Sequence, residues 1–170
     1  EKLLEEEKIV DLVVGPDAYR DLPNLVATAE DGLKAINTFL SREETYGDIS
    51  PVRLNSNGVS AFISIMRGCD NMCSFCVVPY TRGEEVSRPF EQVMVEVRGL
   101  AAQGVREIHL LGQNVNAYRG EMDDGGEADL ALLIEAVAAL PGVGRILFTT
   151  SHPLEFTDRL AEAYARIPQL

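Results

Sequence analysis

Three short apolar segments of this chain each run directly into a polar motif, and a helical pattern follows each motif. The apolar segments are Ala61–Met66, Val105–Leu111 and Arg145–Thr150. This alternation predicts an α/β fold with adjacent parallel strands and right-handed crossovers. The carboxyl ends of parallel strands lie on one rim of a sheet or barrel, where ligands bind. We therefore expect the three polar motifs to converge.

The three helices are predicted from their first residues and from their apolar spacing. Pro89 stands where a first-turn proline is favoured, and Asp129 and Thr157 are candidate N-caps. The segment 119–127 is rich in Gly and Asp and is predicted to be a loop. The residues at helical spacing, which predict the buried faces, are Val93, Val97 and Leu100 in the first helix and Leu130, Leu133, Ile134 and Val137 in the second.

The first 30 residues predict a helix, a strand and a second helix. The strand is Ile9–Val14, and Asp17 is a candidate cap for a helix that continues to about Ala29. The expected buried face of that helix consists of Tyr19, Leu22 and Val26.

Residues 31–58 are polar and contain turn formers at Gly47-Asp48 and Asn55–Gly58. Such a segment predicts an interdomain linker, although an extended stretch within it is possible. The second domain should then begin near Val59 and include residues 59–170.

The first polar motif holds all three cysteines of the chain, Cys69, Cys73 and Cys76, in a CxxxCxxC spacing. Three thiolates this close can bind three irons of a cubane cluster and leave the fourth iron open to a small ligand. A closed zinc site needs a fourth ligand, which His109 or His152 could supply. A disulfide would leave one cysteine unpaired. The spacing favours the iron–sulfur interpretation, and the other two remain alternatives.

The composition limits the class of protein. The chain has 170 residues, 46% of them hydrophobic, and no apolar run long enough to span a membrane. Its net charge of −12 argues against strong RNA binding by this chain alone, because phosphate contacts come from Lys and Arg. Arg67, Arg82 and Arg88 nevertheless surround the cysteine motif. The few, clustered cysteines indicate a reducing compartment, so we expect a cytoplasmic protein.

Several motifs resemble one known family. The segment Cys69–Cys76, with Phe75 between the last two cysteines, resembles the cluster motif of radical S-adenosylmethionine (SAM) enzymes. The segment Val77–Pro89 is similar to the methylthiotransferase branch of these enzymes. Gly112–Tyr118 and Phe148–Pro153 resemble the MiaB subfamily, which adds a methylthio group to isopentenylated adenosine in tRNA. The resemblance extends over essentially the whole chain.

The resemblance implies a fold and a domain order. Residues 59–170 would be the N-terminal portion of a radical-SAM domain, which is a partial TIM-like parallel (β/α) barrel. Residues 1–30 would be the α/β tail of an N-terminal methylthiotransferase domain, joined to it by the linker 31–58. The family has a second [4Fe–4S] cluster in that N-terminal domain and a C-terminal TRAM domain that helps to bind RNA. No cysteine of this chain matches the second cluster, so we expect the isolated fragment to be inactive.

The resemblance also implies cofactors and site residues. A [4Fe–4S] cluster with one open iron would bind SAM, and one electron from a flavodoxin or ferredoxin would generate a 5′-deoxyadenosyl radical. The implied metal ligands are Cys69, Cys73 and Cys76; the implied cofactor-binding residues are Phe75, Gly112, Gln113, Asn114 and Ser151; and the candidate substrate-binding residues are Arg82, Arg88 and His152. The enzyme is expected to act on tRNA as a monomer.

Two alternative functions remain open at this point. The first keeps the radical chemistry and changes the substrate to threonylcarbamoyl-adenosine in tRNA or to a ribosomal protein. The second is a non-catalytic module in which zinc holds the cysteine loop. Metal analysis separates the second from the first, because zinc proteins contain no iron or inorganic sulfide.

Overall fold

The computed structural model describes residues 2–41, 49 and 58–170. The chain divides into two compact units, Glu1–Glu44 and Thr45–Leu170. Within the described ranges, the helices are all too short or too polar to cross a membrane.

The first unit is a small βαβ arrangement preceded by a short helix. It contains, in chain order, α1 (Lys2–Glu6), β1 (Leu12–Val14), a 3₁₀ turn (Tyr19–Asp21), α2 (Leu22–Glu30) and β2 (Ala35–Asn37). The two strands are parallel, with Leu12 opposite Ala35. Part of the segment predicted to be a linker therefore forms β2 and pairs within the first unit. The turn formers Gly47-Asp48 and Asn55–Asn57 lie outside the described residues.

The second helix of this unit differs from the prediction. It begins at Leu22 instead of next to Asp17, whose carboxylate accepts a hydrogen bond from the Ser41 amide at 2.9 Å. Tyr19 lies in the preceding 3₁₀ turn, so it does not share the phase of the α-helix. The buried residue of α2 is Leu25, and the predicted face residues Tyr19, Leu22 and Val26 are exposed.

The second unit contains the three predicted strand–helix pairs together with shorter elements. They are, in chain order, β3 (Ser60–Ser64), β4 (Met66–Arg67), α3 (Val78–Arg82), β5 (Val86–Ser87), α4 (Phe90–Ala102), β6 (Glu107–Leu111), β7 (Arg119–Glu121), β8 (Glu127–Asp129), α5 (Leu130–Ala138), β9 (Arg145–Phe148) and α6 (Asp158–Arg166). Two 3₁₀ turns, Val115–Ala117 and Pro153–Glu155, follow β6 and β9.

The central sheet has the order β3-β6-β9, and both pairings are parallel. β3 and β6 each alternate between a buried and a more exposed side, as a sheet packed on one face requires. Ile63, Ile108 and Leu110 are fully buried, whereas Phe62 is exposed and its ring lies 4.6 Å from that of His109. The result is the predicted α/β layout, a sector of a TIM-like (β/α) barrel.

The helices bury the faces that their spacing predicts. The predicted residues Val93, Val97 and Leu100 of α4 and Leu130, Leu133, Ile134 and Val137 of α5 all belong to the core. The side chain of Asp129 accepts a hydrogen bond from the Leu132 amide at 2.8 Å, and that of Thr157 accepts one from Leu160 at 3.2 Å. Both predicted N-caps are therefore confirmed. Pro89 is itself an N-cap residue and not, as predicted, part of the first turn.

The segment 119–127 was predicted to be a loop, and this prediction is wrong. It forms most of an antiparallel hairpin in which β7 pairs with β8. The turn closes through hydrogen bonds from Gly125 to the Met122 carbonyl and from Met122 to the Gly126 carbonyl, both 2.9 Å. Gly125 has a φ of +80°, a conformation that glycine adopts without strain.

Candidate functional site

The cysteine loop lies between β4 and β5, which pair with each other and close its base. Asp70 and Glu85 join the two sides of the loop above this pair. The Asp70 carboxylate accepts a hydrogen bond from the Glu85 amide at 3.0 Å, and the Glu85 carboxylate accepts one from the Asp70 amide at 3.4 Å. The Cys69 amide donates to the Gly83 carbonyl at 3.2 Å. The shape of the loop is thus fixed by hydrogen bonds among its own backbone groups and acidic side chains.

Gly68 is required at the start of the loop for two reasons. Its φ of +74° is rarely adopted by residues with a side chain. A Cβ at this position would also collide with the Glu84 carbonyl oxygen and come within 2.7 Å of the Gly83 carbonyl oxygen. The two sides of the loop can approach this closely only because residue 68 has no side chain.

The three cysteines have free thiols, with Cys69 buried and Cys73 and Cys76 half-buried. The Cys76 amide donates to the Cys73 carbonyl at 2.9 Å, which forms a turn between the second and third cysteines. Among the described residues, no three His, Cys, Asp or Glu side chains converge to hold a single metal ion. A cubane cluster has a different requirement, because each thiolate binds its own iron atom.

The second polar motif packs against the base of the cysteine loop. The Gln113 side-chain oxygen accepts a hydrogen bond from the Gly68 amide at 2.8 Å. A Cβ on Gly112 would collide with the Met66 side chain and lie 3.1 Å from its carbonyl oxygen. Gly112 therefore permits close packing on β4, and Gln113 supports the start of the cysteine loop.

Asn114 differs from Gly112 and Gln113 because one polar atom of its side chain makes no hydrogen bond to the described residues. Its side-chain nitrogen donates to the Glu85 carboxylate at 2.9 Å. Its side-chain oxygen is buried and has no hydrogen-bond partner among the described residues. A buried acceptor without a partner costs about 1–3 kcal/mol, so a ligand that donates a hydrogen bond there would recover stability. An ammonium group is such a donor.

The third polar motif is joined to the second by a pair of reciprocal hydrogen bonds. The Asn116 side-chain nitrogen donates to the His152 carbonyl at 2.8 Å, and its oxygen accepts from the His152 amide at 2.9 Å. The Thr150 hydroxyl donates to the Gly112 carbonyl at 2.9 Å, and Thr150 has a φ of +61°. Asn116 was given no role in the sequence analysis. The feature of the sequence that could have indicated its role is a polar amide side chain between the apolar residues Val115 and Ala117.

His152 also reaches the first motif, because its Nε2 atom lies 3.8 Å from the Cys73 Sγ atom. This contact, together with those of Gln113 and Asn114, joins all three polar motifs. The predicted convergence at the carboxyl ends of the strands is therefore confirmed. His109, the other histidine, lies within β6 and contacts the Glu107 carboxylate at 2.8 Å.

The remaining predicted site residues have very different surroundings. The ring of Phe75 is 90% exposed, and Ser151 and Arg82 are exposed as well. Arg88 is buried, and its guanidinium donates to the Ser64 carbonyl and to Glu96, both at 2.8 Å. Because these bonds lie within the fold, the prediction that Arg88 binds substrate finds no support in its placement. Its ion-pair partner is Glu96.

A buried tyrosine supports the segment that contains Arg88. The Tyr118 hydroxyl donates to the Arg88 carbonyl at 3.0 Å, and burial raises the pKa of this phenol well above its usual range. Tyr118 is therefore a neutral donor at every physiological pH.

Comparison with known proteins identifies the family of this site. Residues 63–169 match the model of the radical SAM superfamily. The chain belongs to this superfamily. Over 168 residues it is 60% identical to the tRNA-2-methylthio-N(6)-dimethylallyladenosine synthase of Amoebophilus asiaticus, an alignment that includes 93% of this chain and 35% of the relative.

Two further relatives with the same name are similar over almost the same region. The protein from Christiangramia forsetii is 55% identical over 97% of this chain and 37% of its own length. The protein from Acidovorax sp. (strain JS42) is 55% identical over 100% of this chain and 38% of its own length. The chain thus spans little more than a third of these curated relatives, and the predicted resemblance to the methylthiotransferase branch is confirmed.

Membership in the superfamily implies a [4Fe–4S] cluster and SAM as cofactors. The residues present fit these groups. Three free thiols lie on one loop, where each can bind a different iron of a cluster. The unpartnered oxygen of Asn114 is an acceptor of the kind that an amino group of SAM would need.

Proposed function

We propose that this chain is the N-terminal portion of the radical-SAM domain of a tRNA methylthiotransferase. The whole enzyme would add a 2-methylthio group to N6-isopentenyladenosine next to the anticodon. The observation that supports this most directly is the contact among the three polar motifs, in a chain 60% identical to a tRNA-2-methylthio-N(6)-dimethylallyladenosine synthase. Residues 1–30 would belong to the preceding methylthiotransferase domain.

The proposal gives each side chain of the site a specific task. Cys69, Cys73 and Cys76 hold the cluster as thiolates. When bound, the cluster and SAM supply one-electron radical chemistry that no side chain of the protein can provide. The oxygen of Asn114 accepts a hydrogen bond from the SAM amino group, and the exposed ring of Phe75 offers its face to adenine.

Gly112 and Gln113 are proposed as further cofactor contacts, and they and Glu85 also hold the motifs together. Gly112 allows the second motif to pack on Met66. Gln113 orients the start of the cysteine loop through the Gly68 amide. Glu85 connects the loop to Asn114 and thereby fixes the amide whose oxygen remains available. Ser151, which is exposed beside His152, is proposed as a further cofactor contact.

The substrate contacts are proposed mainly for an arginine of the cysteine loop. The Arg82 side chain is exposed, and no hydrogen bond or ion pair joins it to another described residue. A guanidinium in this position suits a phosphate of the anticodon stem-loop. The enzyme would receive electrons from a flavodoxin or ferredoxin and act in the cytoplasm as a monomer.

The test uses the full-length enzyme that contains this chain, reconstituted with iron and sulfide without oxygen. We expect reduced enzyme to cleave SAM and to methylthiolate an isopentenylated anticodon stem-loop, which mass spectrometry of the RNA would detect. The Cys73→Ala variant should do neither. Identical behaviour of wild type and Cys73→Ala, with iron-loaded protein, would reject the proposal.

The same experiment separates the alternative functions. Threonylcarbamoyl-adenosine tRNA and ribosomal proteins serve as parallel substrates, and modification of one of them alone would reassign the target. Metal analysis of the purified protein distinguishes iron with inorganic sulfide from zinc. A colourless protein that contains zinc would instead support the interpretation as a non-catalytic binding module.

A further inference from the structure

A histidine from the third polar motif faces one of the three cysteine ligands. The Nε2 atom of His152 and the Sγ atom of Cys73 are 3.8 Å apart, although 79 positions separate the two residues in the chain. We propose that His152 is a positioning residue that donates an N–H···S hydrogen bond to the Cys73 thiolate and thereby raises the reduction potential of the cluster. This inference rests on the cluster site of the proposed function.

The direction of the hydrogen bond follows from the other ring nitrogen. His152 Nδ1 accepts a hydrogen bond from the Leu154 amide at 3.3 Å. An accepting nitrogen has no proton, so the proton of the neutral imidazole is on Nε2, the atom that faces Cys73. A thiolate that binds iron can only accept. The arrangement therefore pairs a donor on Nε2 with an acceptor sulfur.

The backbone of His152 is held in place independently of the cysteine loop. Asn116, which is 2% exposed, makes hydrogen bonds to both the amide and the carbonyl of His152. Pro153 directly after it begins a 3₁₀ turn, which provides the Leu154 amide. The orientation of the imidazole is thus set by the second and third motifs and not by the cysteine loop. This is how a partner fixes the tautomer and direction of a histidine near a metal centre.

The three cysteines differ in the donors that reach their sulfur atoms. The Asn71 side chain lies 3.8 Å from Cys69 Sγ, but it belongs to the same loop and moves with it. Among the described residues, no side-chain donor is recorded at Cys76 Sγ. His152 is therefore the donor that joins a cysteine ligand to the segment that follows β9.

The effect on the cluster follows from charge. Reduction adds an electron to the cluster, and part of the added negative charge lies on the cysteine sulfurs. A hydrogen-bond donor stabilises the reduced state more than the oxidised state, so it raises the potential. Removal of the donor should make reduction harder, without removing any iron ligand.

The experiment compares three variants of the full-length holoenzyme. His152→Leu removes the donor at similar size, His152→Gln retains an N–H group near the position of Nε2, and His109→Leu is the matched control because His109 bonds Glu107 instead. The midpoint potential is measured by redox titration monitored by electron paramagnetic resonance, without tRNA. The signal followed is that of the cluster that responds to added SAM, which distinguishes it from a second cluster.

We expect His152→Leu to shift the one-electron equilibrium about tenfold toward the oxidised cluster, about 59 mV lower in potential. His152→Gln and His109→Leu should remain near wild type. A wild-type potential in His152→Leu would overturn the inference, and so would an equal shift in His152→Gln and His152→Leu.

A second measurement decides the question if His152→Leu does not take up a cluster. In wild-type enzyme labelled with ¹⁵N-histidine, the electron paramagnetic resonance of the reduced cluster should show hyperfine coupling to a histidine nitrogen. This coupling should be lost in His152→Gln and unchanged in His109→Leu. Absence of the coupling in wild type would overturn the inference. Since neither measurement involves tRNA, failure here is distinct from failure of the proposed substrate.

Discussion

At the scale of single residues, the site depends on positions where only one side chain fits. Gly68 is the clearest case, because both its backbone angle and the adjacent carbonyl oxygens exclude a Cβ. Gly125 has a similar φ of +80° but faces open space. Substitutions at the two glycines therefore distinguish the free-energy cost of the backbone conformation from the free-energy cost of a steric collision.

Gly68→Ala should destabilise the protein by more than about 2 kcal/mol, because conformational strain and collision add. Gly125→Ala should cost only about 1–2 kcal/mol, the penalty of a left-handed alanine. Chemical denaturation of both variants measures the difference. Equal losses of stability would show that the contact between Gly68 and the Glu84 carbonyl has no energetic importance.

Asn114 allows a second prediction at this scale. In reconstituted full-length enzyme, Asn114→Leu should weaken SAM binding by roughly tenfold to a hundredfold, since a hydrogen bond to a charged group contributes about 1.5–3 kcal/mol. Calorimetry or equilibrium dialysis would measure the affinity.

Glu85→Gln is the control for Asn114→Leu, because it alters the partner of the Asn114 nitrogen and leaves the oxygen available. We expect a smaller loss of affinity in this variant. An affinity for SAM in Asn114→Leu equal to that of wild type would exclude Asn114 as a ligand.

The sequence contained enough information to bring these residues to one place, but it left their individual contacts open. The position of a motif directly after a strand predicts the rim on which it lies, and that prediction holds for all three motifs. It does not predict that Gln113 bonds Gly68 or that Arg88 is buried beside Glu96. Such contacts depend on side-chain directions and on packing between distant segments, which strand and helix spacing does not encode.

At the scale of secondary-structure elements, one carboxylate joins all three strands of the central sheet. Glu107 of β6 accepts a hydrogen bond from the Ser60 hydroxyl of β3 at 3.0 Å and contacts Arg145 of β9 at 3.4 Å. The hydrogen bonds of His109 and Ser60, together with the charges of His109 and Arg145, lower the pKa of Glu107 below its ordinary value of 4.5.

The lowered pKa predicts how the stability of the sheet depends on pH. A carboxylate with a lowered folded-state pKa stabilises the protein fully above its ordinary pKa, and this stabilisation is lost as the pH falls through the lowered value. The stability advantage of wild type over Glu107→Gln should therefore be present above about pH 4.5 and shrink as the pH falls below it. Unfolding curves at and below pH 4.5 measure it, and an advantage that grows as the pH falls below 4.5 would contradict the assignment.

The N-cap of α5 gives another prediction for an element. Asp129 caps the helix and also pairs with Arg159 of α6 at 3.0 Å. Asp129→Ala should cost about 1–2 kcal/mol because the cap is lost. Asp129→Asn retains the cap and loses only an exposed ion pair, so it should cost less than about 1 kcal/mol. Denaturant titrations of both variants provide the comparison.

The elements themselves were predicted well where apolar spacing is long and regular. The core faces of α4 and α5 follow a helical period over several turns, and they are buried as predicted. The hairpin of β7 and β8 was missed because its strands have three residues each and contain mainly Gly, Glu, Arg and Asp. Pairing between short polar strands depends on contacts made elsewhere, such as that from the Arg119 amide to Ser87.

At the scale of the whole molecule, charge limits what the chain can bind alone. With a net charge of −12, its general field repels RNA. We expect no saturable binding of an anticodon stem-loop at physiological salt below about 10⁻⁴ M, the weak end of non-specific binding. Fluorescence anisotropy of the chain beside the full-length enzyme tests this. Micromolar affinity of the chain alone would place the RNA-binding surface within it.

Side-chain amides that bond backbone groups join the three motifs: Gln113 connects the second motif to the first, and Asn116 connects the second to the third. Amide side chains neither gain nor lose protons at physiological pH, and dissolved ions weaken their hydrogen bonds little. The contacts made by these two amides should thus persist through acid stress or osmotic shock. A change in the supply of electrons to such a centre would then leave these amide contacts intact.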